Sequence, residues 1–128
     1  MEEVNVTPKT LRETGDKVWV TIQEMRRSVC ICNLTDELPK GNPIFSEMDS
    51  LTYKLENLGL TLRGMTDDLE HALQSPTGKT GIKSLEVIVR DGQVTLGEAN
   101  RMIQEGEASV EKLIQEIAKS KERGNADK

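Results

Sequence analysis

The sequence predicts an all-α fold, an elongated up-down-up antiparallel three-helix bundle. Apolar residues recur with heptad spacing in three long segments, and two short loops rich in proline and glycine separate these segments. Of the 128 residues, 30% are charged and only 2% are aromatic, which is typical of long helices packed side by side. A chain of this length is expected to form one domain.

The first predicted helix covers residues 8–38. Thr7 followed by Pro8 indicates a helix start, because threonine accepts hydrogen bonds from the first amides and proline suits the first helical position. Pro39 ends the helix, since proline disfavours helical geometry in the residue before it. We expect residues 1–6 to be frayed. The heptad stripe of this segment consists of Leu11, Val18, Ile22, Met25, Val29 and Cys32, with Gly15 at one further stripe position.

The second predicted helix covers residues 43–74. Asn42-Pro43 repeats the combination of a capping side chain with proline, and Ser75-Pro76 ends the segment. Its apolar residues alternate gaps of four and three, which places them along one face of a helix. Residues 41–76 carry six acidic and two basic side chains, so most of the net charge of −5 lies here. The heptad stripe consists of Ile44, Met48, Leu51, Leu55, Leu58, Leu62, Met65, Leu69 and Ala72.

The third predicted helix covers residues 81–118 and keeps one heptad register throughout. Three of its stripe positions are small, at a spacing of seven, which allows another backbone to approach closely. Each interior glycine costs about 1 kcal/mol relative to alanine. Residues 119–128 are charged, and we expect them to be a disordered tail. The heptad stripe consists of Ile82, Leu85, Val89, Gly92, Leu96, Ala99, Ile103, Gly106, Val110, Leu113 and Ile117.

An alternative interpretation exists for part of the third segment. Residues 85–96 place β-branched side chains on both sides of Asp91-Gly92, which also fits a β-hairpin, and residues 17–22 have a strand-like composition. Both segments as strands would give an α+β fold. The heptad phase is the same before and after Asp91-Gly92, and this favours the helix. A hairpin at 85–96 remains the alternative.

Composition and termini restrict the functional classes. No segment is strongly basic, so neither nucleic-acid binding nor a polybasic membrane patch is expected. The sequence contains no run of 18 apolar residues, so we expect no membrane insertion. The chain opens with Met1, Glu2 and Glu3 without a secretion signal, which predicts a cytoplasmic protein. Cys30 and Cys32 are then expected to be free thiols.

No residue pattern calls for catalysis or for a cofactor. Cys30 and Cys32, with His71 as the single histidine, fall short of the four ligands of a structural zinc site. Redox catalysis normally uses a Cys-X-X-Cys spacing, which this sequence lacks. We expect His71 to be a solvated surface residue. The sequence therefore predicts no catalytic residues, no metal and no cofactor, and hence a protein that is not an enzyme.

Among the apolar residues that lie off the heptad stripes and are expected to face outward, four are assigned to a partner surface: Tyr53, Leu60, Val87 and Val94. Outward apolar residues in a charge-rich protein indicate a partner surface. The predicted function is a non-catalytic helical module or adaptor that binds another protein. The alternative is a self-associating structural or scaffold protein, or a coiled-coil subunit of a larger complex, which the small stripe positions of the third helix favour. A small enzyme or ligand carrier has no motif in its support.

Overall fold

Three long helices pack against one another in the computed structural model, which describes residues 5–77, 79–80 and 83–126. The predicted all-α three-helix bundle is confirmed. A ribbon of two very short antiparallel strands lies between the second and third helices. In chain order the elements are α1 (Pro8–Leu34), α2 (Pro43–Gln74), β1 (Lys79–Thr80), β2 (Lys83–Ser84) and α3 (Leu85–Ala126).

Contacts between the helices give their directions. Arg12 of α1 pairs with Glu70 of α2, and Arg26 pairs with Glu56, so residue numbers fall along α2 as they rise along α1. Helices α1 and α2 are therefore antiparallel. Along α3 the numbers rise together with those of α1, because Val6 lies against Gly92 whereas Thr21, further along, lies against Gly106. The bundle runs up, down and up.

The core lies along the common axis of the three helices. Every residue of the three heptad stripes whose side chain the structure describes is buried or half-buried, including Leu11, Leu55 and Ala99, which are fully buried. The hydroxyls of the buried Thr21, Thr52 and Thr66 donate within their own helix, as in Thr66, whose Oγ1 donates to the Leu62 carbonyl at 2.8 Å. These bonds satisfy buried hydroxyls without interrupting the apolar packing.

Helix α1 ends at Leu34 and not near residue 38 as predicted. Asp36 takes a left-handed conformation with φ of 50°, and aspartate tolerates this conformation better than most residues do. The Glu37 amide donates to the Cys32 carbonyl, and the Asp36 amide donates to the Asn33 carbonyl. This bonding pattern is a Schellman motif, which closes the helix before Pro39 acts on it.

The N-terminus of α1 is held more firmly than the sequence predicts. The Thr10 amide donates to Thr7 Oγ1 at 3.0 Å, and the Thr7 amide donates to Thr10 Oγ1 at 2.9 Å. This reciprocal capping box satisfies two of the first amides. Val6, within the segment 1–6 predicted to be frayed, is half-buried against the core, and residues 1–4 lie outside the described residues.

Helix α3 begins later and ends later than the predicted range of 81–118. It begins at Leu85, after the ribbon, and residues 81–82 lie outside the described residues. It continues to Ala126, whereas the sequence predicts a disordered tail over 119–128, of which 127–128 also lie outside the described residues. Lysine, glutamate and arginine are good helix formers, and each residue added to an existing helix gains a backbone hydrogen bond.

The alternative hairpin at residues 85–96 is wrong. All twelve residues lie in α3, which passes through Asp91-Gly92 without interruption. The reason is tertiary: Ile88 and Leu96 are buried in the core, and Gly92 lies against Val6. A hairpin would remove these apolar side chains from the core and end the heptad stripe at its first turn.

Candidate functional site

The four residues that the sequence assigns to a partner surface are all exposed. Their exposed fractions are 66% for Tyr53, 58% for Leu60, 39% for Val87 and 68% for Val94. Tyr53 lines a groove between α1 and α2. The other three residues line neither this groove nor a smaller depression of about 240 Å³ between α2 and α3. The structure therefore does not gather the four side chains into one groove.

The α1–α2 groove lies between the C-terminal half of α1 and the N-terminal half of α2. Its volume is about 1390 Å³. Two of the three aromatic residues of the chain line it. Aromatic side chains supply much of the binding energy in protein interfaces. The apolar lining consists of Met25, Val29, Leu34, Phe45, Met48 and Tyr53.

The floor of the groove belongs to the core of the bundle. Met25 and Met48 are each 1% exposed, and Thr52 beside them is buried, with its Oγ1 donating to the Met48 carbonyl at 2.8 Å. Val29 and Phe45 form half-buried walls above this floor. Methionine is flexible and polarizable, so a floor of two methionines can adjust to the shape of an apolar side chain.

Each end of the groove is bounded by a different feature. At one end an ion pair joins Arg26 of α1 to Glu56 of α2, and beyond it the ring of Trp19 fills the interface beside Gly59. At the other end the α1–α2 loop contributes Asp36 to the lining. The groove is thus a bounded depression, whose α2 wall extends from Phe45 to Glu56.

A change in side-chain type along α1 explains why the groove is open. Trp19 packs on Gly59, where an added Cβ would lie 3.0 Å from the indole ring. One heptad later the corresponding α1 residue is Arg26, and two heptads later it is Asn33. Arg26 extends across to Glu56 and Asn33 is short and polar, so neither fills the space as Trp19 does.

Five charged residues line the groove, and two of them, Arg26 and Glu56, form the one ion pair recorded among the five. Asp36 and Lys40 both belong to the α1–α2 loop. Asp49 lies alone on the α2 wall and forms no ion pair with any residue that the structure describes. The middle of this wall is therefore negatively charged.

The two cysteines have different environments, although only one residue separates them. Cys30 is exposed and lines the groove, whereas Cys32 is buried in the core. Burial raises the pKa of the Cys32 thiol above its ordinary value, and the Glu37 carboxylate raises this pKa further. Both thiols are free.

His71 lies exposed on α2, with its Nδ1 2.7 Å from the Asp67 carbonyl oxygen. Because a carbonyl only accepts hydrogen bonds, Nδ1 carries the proton in this contact. Among the residues described, no group of three or more His, Cys, Asp or Glu side chains is placed to hold a metal ion. The helices that the structure describes include none with the length and apolar composition to span a membrane.

The small stripe residues of α3 pack inside the bundle. Ala99 is fully buried, and an added Cβ at Gly106 would lie 2.6 Å from Thr21 Cγ2. At Gly92 it would lie 2.7 Å from Val6 Cγ1. These small residues therefore allow α3 to pack closely against the α1 side of the same chain. The packing argument for self-association, which rested on these residues, is thereby removed.

Sequence reasoning identified Tyr53 and missed the groove around it. Val29 had been assigned to the core stripe, and Phe45 lies next to the stripe residue Ile44, so neither stood out as exposed. The available signal was the series Trp19, Arg26, Asn33, which loses apolar volume heptad by heptad.

Comparisons with protein-family models, with curated proteins and with solved structures gave no match to this chain.

Proposed function

We propose that this protein is a non-catalytic interaction module or adaptor that binds another protein in the α1–α2 groove. The observation that carries the proposal is the groove itself, a bounded depression of about 1390 Å³ with an aromatic and apolar lining. Concave apolar surfaces with aromatic anchors are where partners gain most of their binding energy.

The groove supports this proposal better than the outer face of α3 does. Val87 and Val94 are exposed valines on one helix, and single exposed apolar residues are common on soluble proteins. Tyr53 stands instead beside the half-buried Phe45, above a floor of buried methionines. A partner side chain that enters the groove contacts several apolar groups at once.

The chemistry of the chain agrees with a cytoplasmic site of action for such a module. Both cysteines are free, and an exposed thiol such as Cys30 persists in a reducing compartment. Self-association as a structural or scaffold protein is the alternative function, and light scattering from low to high micromolar concentration distinguishes the two. A strict monomer excludes the alternative.

The test is affinity purification from the native cell with three forms of the full chain: wild type, Tyr53→Asp and Val94→Glu. Both substitutions place a charge at an exposed position, so both variants are expected to fold, and circular dichroism checks this. We expect a protein that wild type and Val94→Glu retain and Tyr53→Asp loses. Retention by all three folded forms would contradict the proposal, and loss only with Val94→Glu would move the site to α3.

A further inference from the structure

The walls of the α1–α2 groove restrict the backbone of whatever binds there. Both walls are α-helices, whose amides and carbonyls along the groove are bonded within the helix, from Arg26 to Cys30 on α1 and from Glu47 to Glu56 on α2. The Ile31, Cys32 and Asn33 carbonyls accept hydrogen bonds from the turn that follows α1. A peptide that binds as an added β-strand needs a free strand edge to pair its backbone, and these walls provide none. A helical segment satisfies its own backbone and presents only side chains.

The dimensions of the groove agree with a short helix. The eleven-residue rise from Phe45 to Glu56 corresponds to about 16 Å, or about three helical turns. A wall of this length offers about three turns of contact to a helix that lies along it.

Charge distinguishes among helical occupants. Asp49 lies on the α2 wall between the two ends of the groove and has no cationic partner among the described residues. Of the two cations in the lining, Arg26 is already held by Glu56, and Lys40 lies in the α1–α2 loop, away from the middle of the α2 wall. A basic residue on the flank of the occupant complements Asp49, and an acidic residue in the same place is repelled.

We propose that the α1–α2 groove receives a three-turn amphipathic helix of another protein, with its apolar stripe on Val29, Phe45 and Tyr53 and a lysine or arginine beside Asp49. This inference rests on the proposed function and specifies its partner. The stripe needs apolar residues at i, i+3 or i+4, and i+7, the spacing by which helices bind in grooves. The other possible occupants are outcomes of the test.

The test uses a displayed library of 18-residue helical peptides with a fixed leucine stripe and with lysine, glutamine or glutamate at the flanking positions. The targets are the wild-type chain and its variants Asp49→Lys, Tyr53→Asp and Val94→Glu. We expect wild type to enrich lysine over glutamate flanks by about threefold or more, as an exposed ion pair allows. Asp49→Lys is expected to reverse this preference. Tyr53→Asp is expected to lose binding, and Val94→Glu to keep it.

The outcomes separate this inference from the proposed function. If Tyr53→Asp loses binding but wild type and Asp49→Lys select the same flanking residues, the groove binds a partner, and the inference that the partner helix is basic is wrong. If wild type enriches no peptide, or Tyr53→Asp still binds, the helical occupant is wrong. If Val94→Glu alone loses binding, both proposals are wrong and α3 carries the site. Concentration-dependent self-association that Tyr53→Asp abolishes would identify a second copy as the occupant.

Discussion

The same two helices, α1 and α2, meet in two different ways along their length. In the closed half, large residues lie against glycines: Leu62 beside Gly15 and Trp19 beside Gly59. In the open half, the α1–α2 groove is lined by the half-buried Val29 and Phe45, with the buried Met25 and Met48 beneath them. The heptad stripe continues through both halves, so a regular stripe does not by itself guarantee a filled interface.

The difference lies beside the stripe. A three-helix bundle buries two faces of each helix, so the residues that flank the stripe decide whether neighbouring helices close on each other. In the closed half the flanking position of α1 is Trp19, and in the open half it is Arg26 and then Asn33. The groove lies where this flanking position changes from a large apolar side chain to a polar one.

The largest expected effect is in the closed half. Leu62 is fully buried, and Leu62→Ala removes a side chain that the surrounding helices cannot replace. We expect a loss of about 3 kcal/mol in the free energy of unfolding, measured by urea titration followed by circular dichroism. Leu60→Ala, an exposed leucine on the same helix, is the control and should change stability by less than about 0.5 kcal/mol. A loss below about 1 kcal/mol for Leu62→Ala would mean that this half is not closed.

Trp19 in the closed half and Tyr53 in the open half provide the next comparison. Trp19→Ala empties the space over Gly59, and because Trp19 is 37% exposed we expect a loss of about 2 kcal/mol, less than for a fully buried tryptophan. Tyr53→Ala, in the open half, is expected to cost less than about 0.5 kcal/mol. Equal losses for the two variants would show that Tyr53 stabilises the fold and would weaken its assignment to a binding surface.

The cysteines compare groove and core at neighbouring positions. We expect Cys30 to react with iodoacetamide at least about tenfold faster than Cys32 at pH 8, because the reactive species is the exposed thiolate. Cys32 reacts more slowly for two reasons: its burial restricts access of the reagent, and its raised pKa lowers the fraction of thiolate. Mass spectrometry of peptides after timed labelling measures both rates. Similar rates would indicate that the end of α1 opens readily.

The smallest expected effect concerns the helix that supports both halves. Gly106→Ala would place its Cβ 2.6 Å from Thr21 Cγ2, whose rotamer is fixed by a hydrogen bond from Thr21 Oγ1 to the Lys17 carbonyl. We expect overpacking to outweigh the gain in helix propensity, with a net loss of about 1 kcal/mol. The matched control is Gly97→Ala, which meets nothing within 4 Å and should stabilise α3 by up to about 1 kcal/mol. Thermal unfolding of both variants checks the sign, and stabilisation by both would show that α1 and α3 are not closely packed at Gly106.

The sequence by itself determined the three helices, their order and the composition of their core. This was possible because apolar residues at heptad spacing, such as Leu55, lie on one face of a helix, and that face is buried whatever it contacts. Local chemistry also determined the helix start at Thr7. The sequence placed Tyr53 outside the core correctly, since a residue opposite the stripe faces solvent.

The tertiary structure alone decided where the surface is concave. Whether Val29 and Phe45 are covered depends on how closely α1 and α2 approach, and this distance is set jointly by side chains far apart in sequence, such as Trp19 with Gly59. The same holds for Gly92 and Gly106, because only the tertiary structure brings Val6 and Thr21 into the space that these glycines leave. Periodicity records which face of a helix is buried, whereas the fit between two faces is a property of the pair.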